Sequence, residues 1–154
     1  MEQFYYEDTT VVENADADCH SLLKASALLR YVEQVTAVHA RKFGMDDKFF
    51  EDHGVAFLVG KQALRFNRVP RRGETLTLCS RSEKSIRGSI KRITTLTDEA
   101  GQEVAMVDSR WIMSSLEDGH ILRQPDWTKE GYWNETVEEE LPLLLHKRRD
   151  SLTS

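Results

Sequence analysis

Cysteine is scarce in this chain: there are two, Cys19 and Cys79, and they form no C-x-x-C pair. A disulfide scaffold is therefore excluded, and the five histidines His20, His39, His53, His120 and His146 stand at no metal-ligand spacing. No metal or other cofactor is expected. Two free thiols point instead to a reducing, cytoplasmic compartment. Long apolar runs are missing too. None approaches the roughly 20 residues that a membrane span needs, and the acidic start Met1-Glu-Gln-Phe-Tyr-Tyr-Glu-Asp8 is the reverse of a secretory leader, so neither is expected. Repeats, low-complexity tracts and a composition break are also absent. A chain of 154 residues, 31% charged and 40% hydrophobic, then reads as one ordinary globular domain.

Charge is unevenly placed. Between Arg65 and Arg92 stand nine basic residues against Glu74 and Glu83, a net +7 inside a chain whose formal net charge is −5. An acidic protein with one basic segment is a poor binder of nucleic acid, and no nucleic-acid partner is expected. Such a segment suits steering of a small acidic or phosphorylated partner, or is a solvated sheet face of alternating Arg and Lys.

Along the chain, Phe4 to Val12 reads as a strand and Glu13 to Ser21 as an acidic loop. A helix is expected from about Lys24 to Phe43, with Leu28, Val32, Val35 and His39 on one stripe, Leu29, Thr36 and Phe43 on a second, and Gly44 as its stop. Apolar on more than one side, this helix should be wrapped. Asp46 to Glu51 reads as a short helical turn. Strands follow at Val55 to Val69, Glu74 to Arg81, Ser89 to Leu96 and Glu103 to Ser115. They are joined by turns at Pro70-Arg-Arg-Gly73 and Asp98-Glu-Ala-Gly101, and Asp118-Gly119 closes a last hairpin into Ile121 and Leu122. One long helix against a curled antiparallel sheet is an α+β architecture, the hotdog fold, expected over residues 4–123. From 124 to 154, with Trp127, Tyr132 and Trp133 among polar residues and then Leu141-Pro-Leu-Leu-Leu145, a strap and tail are expected.

The segment Asp16-Ala-Asp-Cys-His20 leads into the helix, so carboxylates, a histidine and a cysteine are expected near unpaired N–H groups and a positive macrodipole, an arrangement suited to attack on a carbonyl. Asp18 is the first candidate for a catalytic carboxylate, with helix capping as its plain alternative. His20 would orient a water or that carboxylate. Ser21 and Ser26 lie in no G-x-S-x-G elbow, which argues against a serine hydrolase.

In order and separation, Asp16-x-Asp18, Leu28-Leu-x-Tyr31, His39-Ala40 up to Gly44, Asn67-Arg-Val-Pro-Arg-Arg-Gly-Glu-Thr75, and Asp98-x-x-Gly101 followed by Ser109-Arg-Trp-Ile-Met113 resemble the first hotdog unit of the acyl-acyl carrier protein thioesterases. The resemblance implies hydrolysis of an acyl-carrier or acyl-coenzyme A thioester beside the helix. It further implies that Arg68, Arg71, Arg72 and Arg87 receive the carrier's acidic surface or the coenzyme's phosphates. Some single-unit relatives use a helix glutamate as base or nucleophile, which makes Glu33 a third candidate. The catalytic second unit of the family reads Asp, then Asn and His at successive alternate positions. Here Asp18 matches, but His20 and Leu22 occupy the other two places. One unit where the family has two implies a homodimer or higher oligomer. A non-catalytic module that binds acyl thioesters or dimerises an assembly is the alternative. A hydratase is disfavoured, since no Gly-Asp-x-Asn-Pro-x-His stretch occurs.

Overall fold

The computed structural model describes residues 5–83, 89–122 and 137–142. Strand β1 (Tyr5–Val11) leads through a 3-10 turn (Asn14–Asp16) to helix α1 (Ala25–Lys42), a short helix α2 (Asp47–His53), and strands β2 (Val55–Phe66), β3 (Thr75–Ser82), β4 (Ser89–Thr97), β5 (Glu103–Ser115) and β6 (Ile121–Leu122). The strands form one sheet in the order β1-β3-β4-β5-β2, with β6 on the end of β5. All pairs are antiparallel.

Period-two patterning gives the sheet two unlike faces. β3 alternates strictly, with Leu76, Leu78, Ser80 and Ser82 buried and the residues between them half-buried. Its buried residues face α1. The helix lays Leu28, Tyr31, Val32 and Val35 on Leu76, Leu78, Leu96, Ala105 and Val107, which makes one core. Burying a leucine such as Leu28, which is 0% exposed, contributes about 2 kcal/mol by transfer alone. α1 runs out where Phe43 and Gly44 turn back onto the Ala40 and Arg41 carbonyls; Gly44, at φ +86°, takes the left-handed conformation that a helix stop favours. α2 starts on Asp46, whose carboxylate accepts from the Phe49 N–H at 2.9 Å.

The other face of the sheet carries residues 137–142. Val137 and Leu141 pack on Ile93 and Met106. The segment is tied by polar contacts: the Val137 N–H to Glu83 at 2.9 Å, the Leu141 N–H to Asp108 at 3.0 Å, Arg81 to Glu139 at 2.9 Å and Arg110 to Glu140 at 2.8 Å. Trp127, Tyr132 and Trp133 lie outside the described residues, as does Arg87.

The acidic loop is organised differently from expectation. Asp16 is buried, and its carboxylate accepts from the Tyr31 hydroxyl and the Arg30 guanidinium. These contacts, Tyr31 first, hold its carboxyl below the usual aspartate range, while burial and then Asp16 push the Tyr31 phenol up to about 12. Asp16→Ala leaves a buried hydroxyl without its acceptor and should cost about 2 kcal/mol. A carboxyl depressed on folding stabilises above its ordinary value of 3.8 and loses that contribution as pH falls below it. Denaturant melts of wild type and variant should therefore converge in strong acid. A gap that is the same at pH 7 and at pH 2 would contradict this reading.

Candidate functional site

α1 packs chiefly over β1 and β3. The inner face of β4, β5 and β2 is left partly uncovered, and there a cleft of about 530 Å³ opens. One helix face supplies Glu33, Thr36, Ala37, Ala40 and Arg41, the i, i+3, i+4 spacing of a single stripe. Met45 and Phe50 close one end; Val55, Ala56 and Phe57 of β2, Ile90 of β4 and Trp111 of β5 make apolar walls. A Glu33 carboxylate stands exposed at the edge of this apolar space.

A polar row crosses the inner face of the sheet and reaches the cleft at Arg92. Arg92, Ser82, Ser109 and Gln62 lie in register across β3, β4, β5 and β2. Arg92 is buried and donates from Nη1 to Ser80 Oγ at 2.7 Å and to His39 Nδ1 at 2.7 Å. Burial alone lowers its pKa to about 10. Burial first, and then the Arg92 charge, lowers that of His39 to about 4. His39 is thus a neutral acceptor at Nδ1 with its proton on Nε2. Thr36 Oγ1, His39 Nε2 and Trp111 Nε1 are buried without a partner.

The sequence candidates are not brought together. Glu33 lines the cleft; Asp18 and His20 do not. Residues 17–23 fold back on themselves through an Ala17–Leu23 bridge and dock on the turn at Arg71 through Leu22. The helix cap is Lys24, with no side-chain cap bond, and the Asp18 carboxylate accepts from its own loop instead of from the first N–H groups of α1. Asp18 Oδ1 accepts from the His20 N–H at 2.8 Å and the Leu22 N–H at 3.1 Å. These two bonds, Leu22 first, lower its pKa. A carboxylate engaged in this way closes a tight surface loop.

The basic segment does not make one face. Arg65 pairs with Glu103 at 2.9 Å. Arg68 is gripped by Glu74 at 2.8 Å and by Asp98 at 3.1 Å, which raise its pKa in that order. Arg92 points inward. Arg71 and Arg72 are exposed, and their side chains take no ion pair among the described residues. Sequence reasoning missed Arg92 and Thr36 as site residues; it offered Trp111 as a core residue with the lining of an acyl tunnel as the alternative, and Trp111 lines the cleft. The signal was Arg92 at an inward position of the Ile90-x-Arg92-x-Thr94-x-Leu96 alternation.

A single long helix on a curled antiparallel sheet with this strand order is the hotdog fold. Solved structures agree with that class at low identity. An acyl-ACP thioesterase from Bacteroides thetaiotaomicron is 17% identical with TM-score 0.79, over 90% of this chain and 57% of its own. The 12:0-ACP thioesterase from Umbellularia californica is 15% identical with TM-score 0.81, over 98% of this chain and 63% of its own. A hypothetical protein from Staphylococcus aureus solved in complex with CoA is 12% identical with TM-score 0.79, over 92% of each chain. This chain therefore spans little more than half the length of the two thioesterases. No curated protein sequence matches it. The model of the acyl-ACP thioesterase N-terminal domain matches residues 3–131, and the chain belongs to that family.

A neutral buried His39 sets a pH signature. The unfolded chain protonates it near 6.5 and the folded chain only near 4, so stability should fall as pH drops between those values and level off below. In thermal melts His39→Gln should flatten that stretch of the profile. Parallel wild-type and variant profiles would contradict it.

Proposed function

We propose that the protein hydrolyses acyl thioesters of an acyl carrier protein or coenzyme A to the free carboxylic acid, within fatty-acid metabolism, and that the cleft beside α1 receives the acyl group. Family membership over residues 3–131 supplies the reaction class. The observation that carries the site is Glu33, a carboxylate at the edge of an apolar cleft of about 530 Å³. The apolar walls made by Ala37, Ala40, Val55, Phe57, Ile90 and Trp111 suit an acyl chain, and the charged residues at its margin, Glu33, Arg41, Asp46, Asp47 and Glu51, suit a polar thioester end.

Glu33 acts as general base in this reading. It takes a proton from a water whose oxygen adds to the thioester carbonyl carbon; the C–S bond then breaks with its electron pair on sulfur, and the proton passes from Glu33 to the departing thiolate. Asp18 and His20, held in the surface loop, shape the approach along which Arg71 and Arg72 attract the carrier or coenzyme phosphates. Arg68, held by two carboxylates, contributes little there, and Arg87 lies outside the described residues. The two free thiols support a reducing, cytoplasmic setting. Among the described residues no helix is long and apolar enough to cross a membrane.

The unit works as a homodimer in this proposal. β2 is a twelve-residue strand on the sheet edge, with Leu58 50% and Val59 44% exposed. A long apolar edge of this kind is a template for pairing.

Three measurements test these statements. Release of free thiol from a panel of acyl-coenzyme A and acyl-carrier substrates should fall on the order of 100-fold or more in Glu33→Gln and change little in Asp18→Asn. A large loss in Asp18→Asn with none in Glu33→Gln would move the site to the loop, and acyl binding with no thiol release from any substrate would favour a binding module. Arg71→Ala/Arg72→Ala should raise KM for a carrier-bound substrate at low ionic strength, and the difference should shrink with salt; an unchanged KM means those arginines are only solvated. Light scattering should give a dimer for wild type and a monomer for Leu58→Lys/Val59→Glu, whereas a monomeric wild type would remove the dimer.

A further inference from the structure

Four carboxylates, Glu33, Asp46, Asp47 and Glu51, line the cleft together with Arg41 and Arg92, yet none of them pairs with Arg92. Arg92 is 6% exposed and lines the cleft. Of the five N–H donors on its guanidinium, the two on Nη1 go to Ser80 Oγ and His39 Nδ1, both neutral. Nη2 and Nε donate to nothing among the described residues, and no carboxylate pairs with the group. Thr36 Oγ1 and Trp111 Nε1 are buried without a partner, and both residues line the same cleft. A buried cation without an anion and two buried donors without acceptors are each costly. They converge on one space, and a ligand with two negative oxygens meets all three needs.

We propose that Arg92, Thr36 and Trp111 form a carboxylate subsite, and that the preferred substrates are thioesters of short acyl chains ending in a carboxylate. This rests on the thioesterase reading of the cleft. Two sources of carboxylate chemistry compete, the far end of the acyl chain and the acid released by hydrolysis, and the spacing favours the first. Arg92 contacts His39, six residues beyond Glu33 on α1, which is about 9 Å along the helix axis. A group held by Arg92 is therefore not the carbonyl attacked at Glu33. The apolar lining of the same cleft, Ala37, Ile90 and Phe57, suits methylenes. A lowered His39 pKa keeps that ring from competing as a second cation.

Non-hydrolysable thioethers separate binding from chemistry. Isothermal titration of the full chain should show carboxyheptyl-coenzyme A binding roughly 30-fold tighter than octyl-coenzyme A, as a charge-assisted pair predicts. Arg92→Gln should abolish that preference, while Arg92→Lys keeps part of it. Should Arg92→Gln fail to melt cooperatively, Trp111→Phe/Thr36→Val, which leaves the guanidinium in place, should still reduce the preference several-fold. Equal affinity of wild type for both thioethers would overturn the proposal. So would a preference that survives both variants, or an equal loss for both ligands in Arg92→Gln. Octanoate binding that depends on Arg92, without preference between the thioethers, would assign the subsite to the released acid and overturn it likewise. A carboxylate preference in binding, with no thiol released from octanedioyl- or octanoyl-coenzyme A, would support the subsite and defeat the hydrolase reading.

Discussion

A helix of eighteen residues cannot cover the whole inner face of a five-strand sheet, and the remaining architecture follows from which part it covers. Leu28, Tyr31, Val32 and Val35 seal the β1–β3 side. What α1 leaves open over β4, β5 and β2 becomes the cleft. Two stripes of α1 divide the work: Leu28, Val32, Val35 and His39 are buried, while Glu33, Thr36 and Ala37 line the opening. Packing thus dictates both where the ligand space lies and which helix residues look into it.

Polar groups follow the same division. The outer face satisfies its charges with residues 137–142, through Glu83, Asp108, Arg81 and Arg110. The loops satisfy theirs locally: Asp18 with backbone N–H groups, Arg68 with Glu74 and Asp98. Among the described residues, Thr36 Oγ1, His39 Nε2 and Trp111 Nε1, between α1 and the inner face of the sheet, are buried without a partner. Buried donors are normally paired, so a place among the described residues where pairing stops is also a place where a ligand fits.

Much of the fold was legible in the sequence. Hydrophobic periodicity and the Gly44 stop marked α1 to within a residue or so at each end, and Gly73, Gly101 and Gly119, all at positive φ, marked the turns between strands. The site was less legible. Proximity to a helix start made Asp18 attractive, but the fold-back of residues 17–23, which docks on Arg71 some fifty positions away, turns its carboxylate onto the His20 and Leu22 N–H groups. The expected basic face dissolved because a charge count ignores alternation, which sends Arg92 inward and Arg81 outward. The helix reads as apolar on more than one side, yet Glu33 and Ala37 remain exposed, since one chain supplies only one sheet.

The account depends on the acyl group lying between α1 and β4–β5. A crystal structure of the chain with a non-hydrolysable acyl thioether of coenzyme A tests it most directly. The account predicts density for the acyl chain against Ala37, Ile90 and Trp111, with the sulfur near Glu33. Acyl density against the loop at Asp18, or on the outer face under Val137 and Leu141, would contradict it.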